Sequence, residues 1–176
     1  MTPFDIRVLG PAEVTAQAGA LGAILADCVA DGASLNFLWP YGEEDGRRFY
    51  AEKIARQAAA GETIVLGAWL DGELTGTAQL GIGQPPNQQH RADVKKVLVH
   101  RRGRGRGMGA ALMAALETLA RAHGRSLLCL DTAQGTGGDR LYRHLGWTMF
   151  GVVPKFARDP DGTLRDCCFY YKELAP

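Results

Sequence analysis

Arginine and glycine alternate in one short segment of the chain, residues 101–109, which has the sequence RRGRGRGMG. An apolar strand pattern ending in Val97 to Val99 comes before the segment, and a helical pattern follows it. Such a turn is suited to anions, because amides at a helix N-terminus point outward and the helix dipole favours negative charge. Glycine lets the backbone approach a ligand closely, and arginine adds bidentate phosphate contacts. The segment therefore predicts a site for phosphate groups.

Three classes of phosphate ligand fit a turn of this kind. A Walker loop requires a Lys-Ser or Lys-Thr pair, which does not follow here, so nucleoside triphosphate hydrolysis is set aside. The dinucleotide fingerprint fits formally at Gly105, Gly107 and Ala110, with Asp131 about 20 residues further on. A Rossmann domain, however, needs more strand–helix units than this chain supplies. The third ligand is coenzyme A, whose pyrophosphate needs the same cradle.

Two motifs resemble those of a known family. Residues 97–113, VLVHRRGRGRGMGAALM, look like motif A of the GNAT N-acetyltransferases, with Arg104, Gly107 and Gly109 at its signature positions. Residues 139–147, DRLYRHLGW, are similar to motif B of the same family. The order of predicted strands and helices matches the family across essentially the whole chain.

A narrower resemblance points to the tabtoxin-resistance acetyltransferase branch. It is carried by LDT at 130–132, by LY at 141–142, and by PDGTL at 160–164 ahead of the terminal YYK. The pair Ala33-Ser34 with the aromatic stretch 37–40 also resembles that branch.

The resemblance implies where coenzyme A lies. The backbone of Leu98 to His100 pairs with the pantetheine arm like an extra strand, and an amide near Leu98 faces the oxyanion. Many members of the family carry an asparagine that contacts the cofactor, seven residues before the motif B tyrosine. This chain has Gly135 at that position, and Gln134 and Thr136 are the candidates to make the contact instead. The predicted cofactor-binding residues are Leu98, Val99, His100, Arg104, Gly105, Arg106, Gly107, Met108, Gly109, Ala110, Gln134 and Thr136.

Amine acetylation also needs a base for the amine and an acid for the departing thiolate. The family places the motif B tyrosine, here Tyr142, near the coenzyme sulfur, and a phenol suits a thiolate leaving group in pKa. Asp131, at the end of a buried strand, and Asp93, at the start of the strand that leads to the loop, are the candidate bases. The alternative for either aspartate is a role as a capping or turn residue, and the alternative for Tyr142 is a half-buried aromatic at a helix–sheet contact. An acceptor that arrives deprotonated needs no base.

The acceptor pocket is predicted between the first two helices. Phe37, Trp39 and Tyr41 lie in that loop, which forms part of the pocket in the family, and they could stack on a flat or apolar acceptor or merely cover the core. Asp131 is also expected to contact the acceptor. Lys95 and Lys96 are expected to bracket the edges of the sheet.

The elements that must position these residues alternate between strands and helices. Asp71-Gly72 predicts a two-residue hairpin. A single α/β (α+β) domain spanning 1–176 is expected, with the GNAT fold: a central mixed sheet of about seven strands flanked by about four helices. Strands are predicted over 4–9, 63–70, 74–82, 92–99, 126–130, 147–153 and 167–171, and helices over 11–29, 43–60, from 108 to before Gly124, and over 139–145.

Composition excludes several classes of protein. The formal net charge of +1 argues against a globally basic nucleic-acid binder. An RGG-type RNA segment would be repeated and disordered, whereas this one occurs once between a strand and a helix. No apolar run reaches the ~18 residues of a membrane span, and no secretory signal is recognised. The four cysteines lack the paired spacing of a zinc site and indicate free thiols in a reducing cytoplasm.

The sequence thus predicts a cytoplasmic, acetyl-CoA-dependent N-acetyltransferase without a metal. It would acetylate a small-molecule amine by direct attack in a ternary complex, with detoxification of a toxin or antibiotic as the physiological role. Neither nucleic acid nor a membrane is expected as a partner, and the family implies a homodimer. The alternative is an acyl-CoA-binding sensor or pseudoenzyme with the same fold.

Overall fold

A computed structural model describes residues 4–175 of the chain. Seven strands form one sheet in the order β1-β2-β3-β4-β5-β7-β6. All neighbouring strands run antiparallel except β4 and β5, which are parallel. The strands are β1 (Asp5–Leu9), β2 (Thr63–Leu70), β3 (Glu73–Gly81), β4 (Arg91–Val99), β5 (Leu127–Ala133), β6 (Thr148–Arg158) and β7 (Leu164–Glu173).

The α-helices of the described residues fall into four stretches of chain, as the sequence predicts. Only Gln17 separates the first two helices, and a π-helical segment, Phe49–Ile54, joins the third to the fourth. The helices are α1 (Pro11–Ala16), α2 (Ala18–Ala30), α3 (Glu43–Arg48), α4 (Ala55–Ala59), α5 (Met108–Ala122) and α6 (Gly137–His144). No helix among residues 4–175 is both long and apolar enough to cross a membrane.

Helices cover the two faces of the sheet. The apolar stripe of α5, which includes the fully buried Leu112 and Leu116, packs on β3 and β4. On the opposite face, α2 packs on β3 and β4 through buried residues such as Leu21 and Leu25. Each such leucine contributes about 1.5–3 kcal/mol by leaving water, so the sheet is fixed between two cores.

β4 changes course midway along its length. Between the pairs Gln79↔Lys95 and Thr77↔Leu98, β4 contains one residue more than β3, which makes a β-bulge. Lys96 lies in the bulge with a positive φ of 49°. Pairing with β5 covers only three residue pairs, from Arg91↔Leu127 to Asp93↔Cys129. Beyond those pairs the two strands separate and leave a cleft between them.

Most of the predicted elements are confirmed, and the differences have local causes. The Asp71-Gly72 hairpin connects β2 to β3, with both turn residues at positive φ. The last two strands are longer than predicted, 148–158 and 164–173, because β6 is an edge strand that is exposed on both faces and shows no clean alternation. The two parts of the terminal hairpin also pair with bulges, which shift the apolar pattern.

Candidate active site

The arginine–glycine segment forms a cradle of unpaired amides at the start of α5. Within the described chain, no backbone carbonyl accepts a hydrogen bond from the amides of residues 105–110. The first amide of α5 with an acceptor is that of Ala111, which donates to the Gly107 carbonyl at 3.0 Å. Gly105 and Gly107 have φ values of 75° and 84°, in the left-handed region that favours glycine. Six successive donors at the positive end of a helix are suited to an anion as extended as a pyrophosphate.

Three of the four arginines around this cradle are held by carboxylates of other elements. The pairs are Arg101 with Asp27, Arg102 with Glu73 and Arg104 with Asp31. Arg106 forms no ion pair with any of residues 4–175. Its guanidinium is therefore available to an anionic ligand without breaking a contact within the protein.

Arg104 turns toward the C-terminal end of α2. Its Nε donates to the Val99 carbonyl at 3.0 Å, and its guanidinium pairs with Asp31 and lies 3.6 Å from Asp27. Burial lowers the pKa of Arg104, but the hydrogen bond to Asp31 and the interactions with Cys28 together outweigh it and raise the pKa overall. The predicted contact between the Arg104 side chain and a pyrophosphate stays a prediction, and it would require this guanidinium to exchange or share partners.

The edge of β4 that faces the cleft is free of strand partners beyond Asp93, within the residues described. This edge includes Leu98 and Val99, so an extended ligand arm has room to add as a strand, as predicted. The amide of His100 already donates to the Thr75 carbonyl at 2.9 Å. Its imidazole Nδ1 accepts from the Arg102 amide at 3.3 Å, which fixes the entry to the loop.

The turn between β5 and α6 is built around Asp139. This buried carboxylate accepts a hydrogen bond from the Gly135 amide at 2.8 Å and one from the Tyr170 hydroxyl. Thr136 caps α6: its Oγ1 accepts from the Asp139 amide at 3.4 Å and donates to a backbone carbonyl. Gln134 is exposed at the start of the turn. The sequence predicts a cofactor contact for Thr136 and gives no local signal for Asp139, whose contacts are made mostly outside its own helix.

Tyr142 lies on the face of α6 that packs against the sheet. Its ring centroid is 6.0 Å from the rings of both Trp147 and Tyr170, and the side chain is buried. Burial raises the pKa of the Tyr142 hydroxyl, and the negative charge of Asp131 raises it further. The phenol is therefore held protonated, and the negative charge of Asp131 on the neighbouring strand β5 acts on it.

The two candidate bases lie on neighbouring strands in different surroundings. Asp93, in the last β4–β5 pair, pairs with Arg91 and accepts from Gln84 Nε2 at 2.9 Å. Asp131 lies beyond the point where the strands separate and forms no ion pair with any described residue. Asp131 is exposed in the cleft, but the protein around it still removes part of its solvent, which raises its pKa despite the opposing positive charge of Lys96. Of the two carboxylates, Asp131 is the one free to accept a proton.

The aromatic loop between α2 and α3 separates into a packed part and an exposed part. The rings of Phe37 and Tyr41 are 4.4 Å apart, and with α3 they line a cavity of about 320 Å³. Trp39 is 51% exposed and is anchored by its indole Nε1, which donates to the Val29 carbonyl at 3.1 Å.

The sequence predicts Lys96 at an edge of the sheet, and this prediction is wrong. Instead of bracketing an edge of the sheet, its side chain extends from the β4 bulge toward the aromatic loop, where Nζ donates to the Leu35 carbonyl at 2.9 Å. Nζ also lies 5.5 Å from the centre of the Phe37 ring. A bulge has no signature in this sequence, so the direction of the side chain could not be predicted.

No group of three or more His, Cys, Asp or Glu side chains in the described part of the chain is arranged to hold a metal ion. The thiols of Cys28, Cys129, Cys167 and Cys168 are all free of disulfide bonds.

Comparison with known proteins agrees with this fold. The model of the GNAT acetyltransferase family matches residues 29–147, which is more than half of the 176 residues. The chain therefore belongs to the GNAT family of acetyltransferases.

Solved structures with the same fold cover nearly the whole chain. An N-acetyltransferase from Staphylococcus aureus Mu50 has a TM-score of 0.80 at 17% identity and covers 98% of this chain and 99% of its own. A Salmonella typhimurium protein named yncA, solved with its cofactor acetyl-CoA, has a TM-score of 0.77 at 24% identity, with coverages of 98% and 95%. A ribosomal-protein-alanine N-acetyltransferase from Brucella melitensis has a TM-score of 0.76 at 24% identity, with coverages of 97% and 99%. At these identities the likeness establishes the fold.

Proposed function

We propose that this protein transfers an acetyl group from acetyl-CoA to the amine of a small molecule. The observation that carries the proposal is the cradle of six unpaired amides at residues 105–110, which opens beside the free edge of β4. Asp131 lies on β5 beyond the point where β4 and β5 separate, and its charge acts on Tyr142. An anion site, a free strand edge, a candidate acid and a candidate base are the features that acetyl transfer requires, and together they support the proposal.

The chain's own residues divide the work of binding. The amides of residues 105–110 hold the pyrophosphate, and Arg106 adds a positive charge that no carboxylate of the described chain neutralises. The cleft-facing edge of β4 at Leu98 and Val99 pairs with the pantetheine arm. When bound, acetyl-CoA supplies an acetyl group activated as a thioester.

Proton transfer follows from the two side chains in the cleft. Asp131 accepts a proton from the acceptor amine, which raises the nucleophilicity of the nitrogen. Tyr142 donates its hydroxyl proton to the departing sulfur, and its raised pKa keeps that proton in place until negative charge develops there. One N–C bond forms and one C–S bond breaks. The proton gained by Asp131 balances the proton lost by Tyr142.

The test measures thiol release from acetyl-CoA against a panel of amines: amino acids, tabtoxinine-type β-lactams, polyamines and aminoglycosides. Thermal-shift titration with coenzyme A runs alongside. We expect acceptor-dependent release, and we expect Tyr142→Phe to lower kcat by about 100-fold or more while the coenzyme A shift is unchanged. A shift without release from any acceptor would favour the sensor, and no shift would refute the coenzyme A site.

The proposal extends to the biological setting. Its role would be detoxification of a toxin or antibiotic, as in the tabtoxin-resistance branch. This is supported by the PDG turn at 160–162, which contacts the aromatic loop: the Trp39 amide donates a hydrogen bond to the Pro160 carbonyl at 2.9 Å. A cytoplasmic location is supported by the unpaired thiols.

A homodimer is supported by the outer strand β6. Its exposed side chains include Phe150, Val153 and Phe156, an apolar edge that a second copy of the chain would cover.

A further inference from the structure

Lys96 carries a positive charge that the proposed reaction does not use. Its ammonium has three N–H donors, and within the described chain only the Leu35 carbonyl accepts from it. The side chain is only partly accessible, and burial lowers the pKa of Lys96 to about 8, against the attraction of Asp131. A cation held in such a place without a carboxylate partner destabilises the fold. Its position therefore points to a negative group that comes from outside the chain.

Asp131 lies on β5, next to the strand that carries Lys96, and the two side chains form no ion pair. The two side chains lie on β5 and on the β4 bulge, and they influence each other's charge, yet they form no ion pair within 4.0 Å. The bulge keeps Lys96 away from Asp131, because it turns the Lys96 side chain toward the aromatic loop at the point where β4 separates from β5. The Asp131 carboxylate and the Lys96 ammonium are therefore both near the cleft between β4 and β5, and each can still form hydrogen bonds with a ligand.

We propose that Lys96 and Asp131 form a two-point site for a zwitterionic acceptor, a small molecule that carries an acid group as well as the amine to be acetylated. Asp131 attracts the ammonium end, which releases one proton to solvent before attack, and Asp131 then takes the second proton that the nitrogen loses as the N–C bond forms. Lys96 binds the carboxylate or other acid group. Lys53, a second cation whose charge acts on Lys96, lines the cavity beside Phe37 together with Arg48, Asp45 and Glu52. The inference rests on the proposed function, because it assigns the substrate class of that site.

The experiment compares acceptors that differ only in the acid group: L-amino acids, their carboxamides and the corresponding amines without a carboxyl carbon. Thiol release gives kcat and KM for each, and calorimetry in the presence of coenzyme A gives binding independently of turnover. The variants are Lys96→Gln, which removes the charge, and Lys96→Arg, which keeps it. Lys95→Gln is the matched control, since Lys95 is exposed on the same strand.

We expect the wild type to prefer at least one acid over its amide by about tenfold or more, the value of a charge-assisted hydrogen bond. Lys96→Gln should abolish that preference, chiefly by raising KM, whereas Lys96→Arg should keep part of it and Lys95→Gln all of it. A preference that survives in Lys96→Gln overturns the inference, as does a wild type that binds and acetylates amides as well as acids. If no acid binds at all, the inference is also wrong.

The failure of the proposed function would look different. In that case acids would bind more tightly than amides in a manner that depends on Lys96, but no acceptor would release thiol. That result would keep the two-point site and refute the acetyl transfer.

Discussion

Asp131 and Asp93 illustrate how two aspartates on neighbouring strands acquire different chemistry. Both oxygens of Asp93 are used by the protein, one by Arg91 and the other by Gln84. Asp131 has no such partners, and the loss of part of its solvent raises its pKa, which makes its carboxylate a better proton acceptor. The sequence alone left these two residues as alternatives, since both stand on strands beside the loop. What separates them is which side chains the folded chain brings to each carboxylate.

Replacing Asp131 by asparagine should lower kcat/KM by about 100-fold or more, the usual contribution of a general base. Asp93→Asn should lower it by only a few-fold, through loosened packing at the last β4–β5 pair. In the wild type, activity should fall as the pH drops through the raised pKa of Asp131, because the base must be ionised. Steady-state rates over a pH series check both points; equal losses in the two variants would contradict the assignment.

Arg106 and Arg102 offer a matched pair within the loop. Arg102 pairs with Glu73 at 2.8 Å, whereas Arg106 has no carboxylate partner in the described chain. We expect Arg106→Ala to weaken coenzyme A binding by about five- to tenfold, in line with the loss of one exposed charge-assisted contact. Arg102→Ala should weaken coenzyme A binding by no more than about two- to threefold, because its charge is already paired with Glu73. Calorimetric titration at two salt concentrations measures both, and a larger loss in Arg102→Ala would show that the pairs exchange on binding.

The charge of Lys96 should also be visible in stability. Burial lowers the pKa of Lys96 to about 8, so the protonated side chain disfavours the folded state, although Asp131 attracts it and Lys53 and Lys95 repel it. This cost is fully present below about pH 8 and disappears as the pH rises toward 10.5, the ordinary pKa of a lysine. The difference in melting temperature, Lys96→Met minus wild type, should therefore decrease from pH 7 to pH 10. A difference that does not change with pH would mean that Lys96 is solvated.

At the scale of elements, helix α6 depends on one close approach to the sheet. A Cβ atom on Gly138 would lie 2.9 Å from Thr132 Oγ1 and 3.5 Å from Tyr142 Cε2, so α6 lies on β5 without a side chain between them. The neighbouring Gly137 has only Arg140 Nη2, at 4.0 Å, near its missing Cβ. The close contact between α6 and β5 therefore requires a glycine at 138, whereas position 137 has room for a side chain.

Gly138→Ala should push α6 away from β5 and displace Tyr142. We expect a loss of about 1–3 kcal/mol of stability, typical of overpacking, together with a lower kcat. Gly137→Ala should be neutral or should stabilise by up to about 1 kcal/mol through helix propensity. Chemical denaturation and kinetics of the two variants provide the comparison. Similar behaviour of both alanines would mean that the contact of α6 with β5 is not tight.

Secondary structure was largely predictable because its signals are local. The Asp71-Gly72 turn and the apolar spacing of α5 need only a few neighbouring residues to be recognised. The β4 bulge needs more, since a lysine at positive φ is held there by the separation of β4 from β5 and by the Leu35 carbonyl. The pairing of Arg104 with Asp31 spans 73 residues of sequence, and no local pattern specifies it.

At the scale of the whole molecule, the two edges of the sheet differ. β6 exposes several large apolar side chains, with Phe150 at 64% and Phe156 at 52%, and their rings contact Phe169 on β7. β1, at the other edge, exposes Val8 at 46%. An edge strand with this much exposed apolar surface normally has a partner.

If β6 is the dimer interface, Phe150→Glu should convert the protein to a monomer, because a buried unpaired carboxylate is too costly. Val8→Glu, at the opposite edge, should leave the oligomeric state unchanged. Light scattering coupled to gel filtration gives the mass of each variant directly. A wild type that runs as a monomer, or a dimer that withstands Phe150→Glu, would rule out this interface.

The β4–β5 junction, finally, makes the sheet two blocks joined along three residue pairs. A ligand that adds to the free edge of β4 fills the space between those blocks. Because it binds only the folded state, its binding raises the free energy of unfolding. Proteases attack chains that open, so the molecule should survive longer in a cell rich in coenzyme A than in a starved one. The abundance of the protein would then follow the supply of its own acyl donor, without any dedicated regulator.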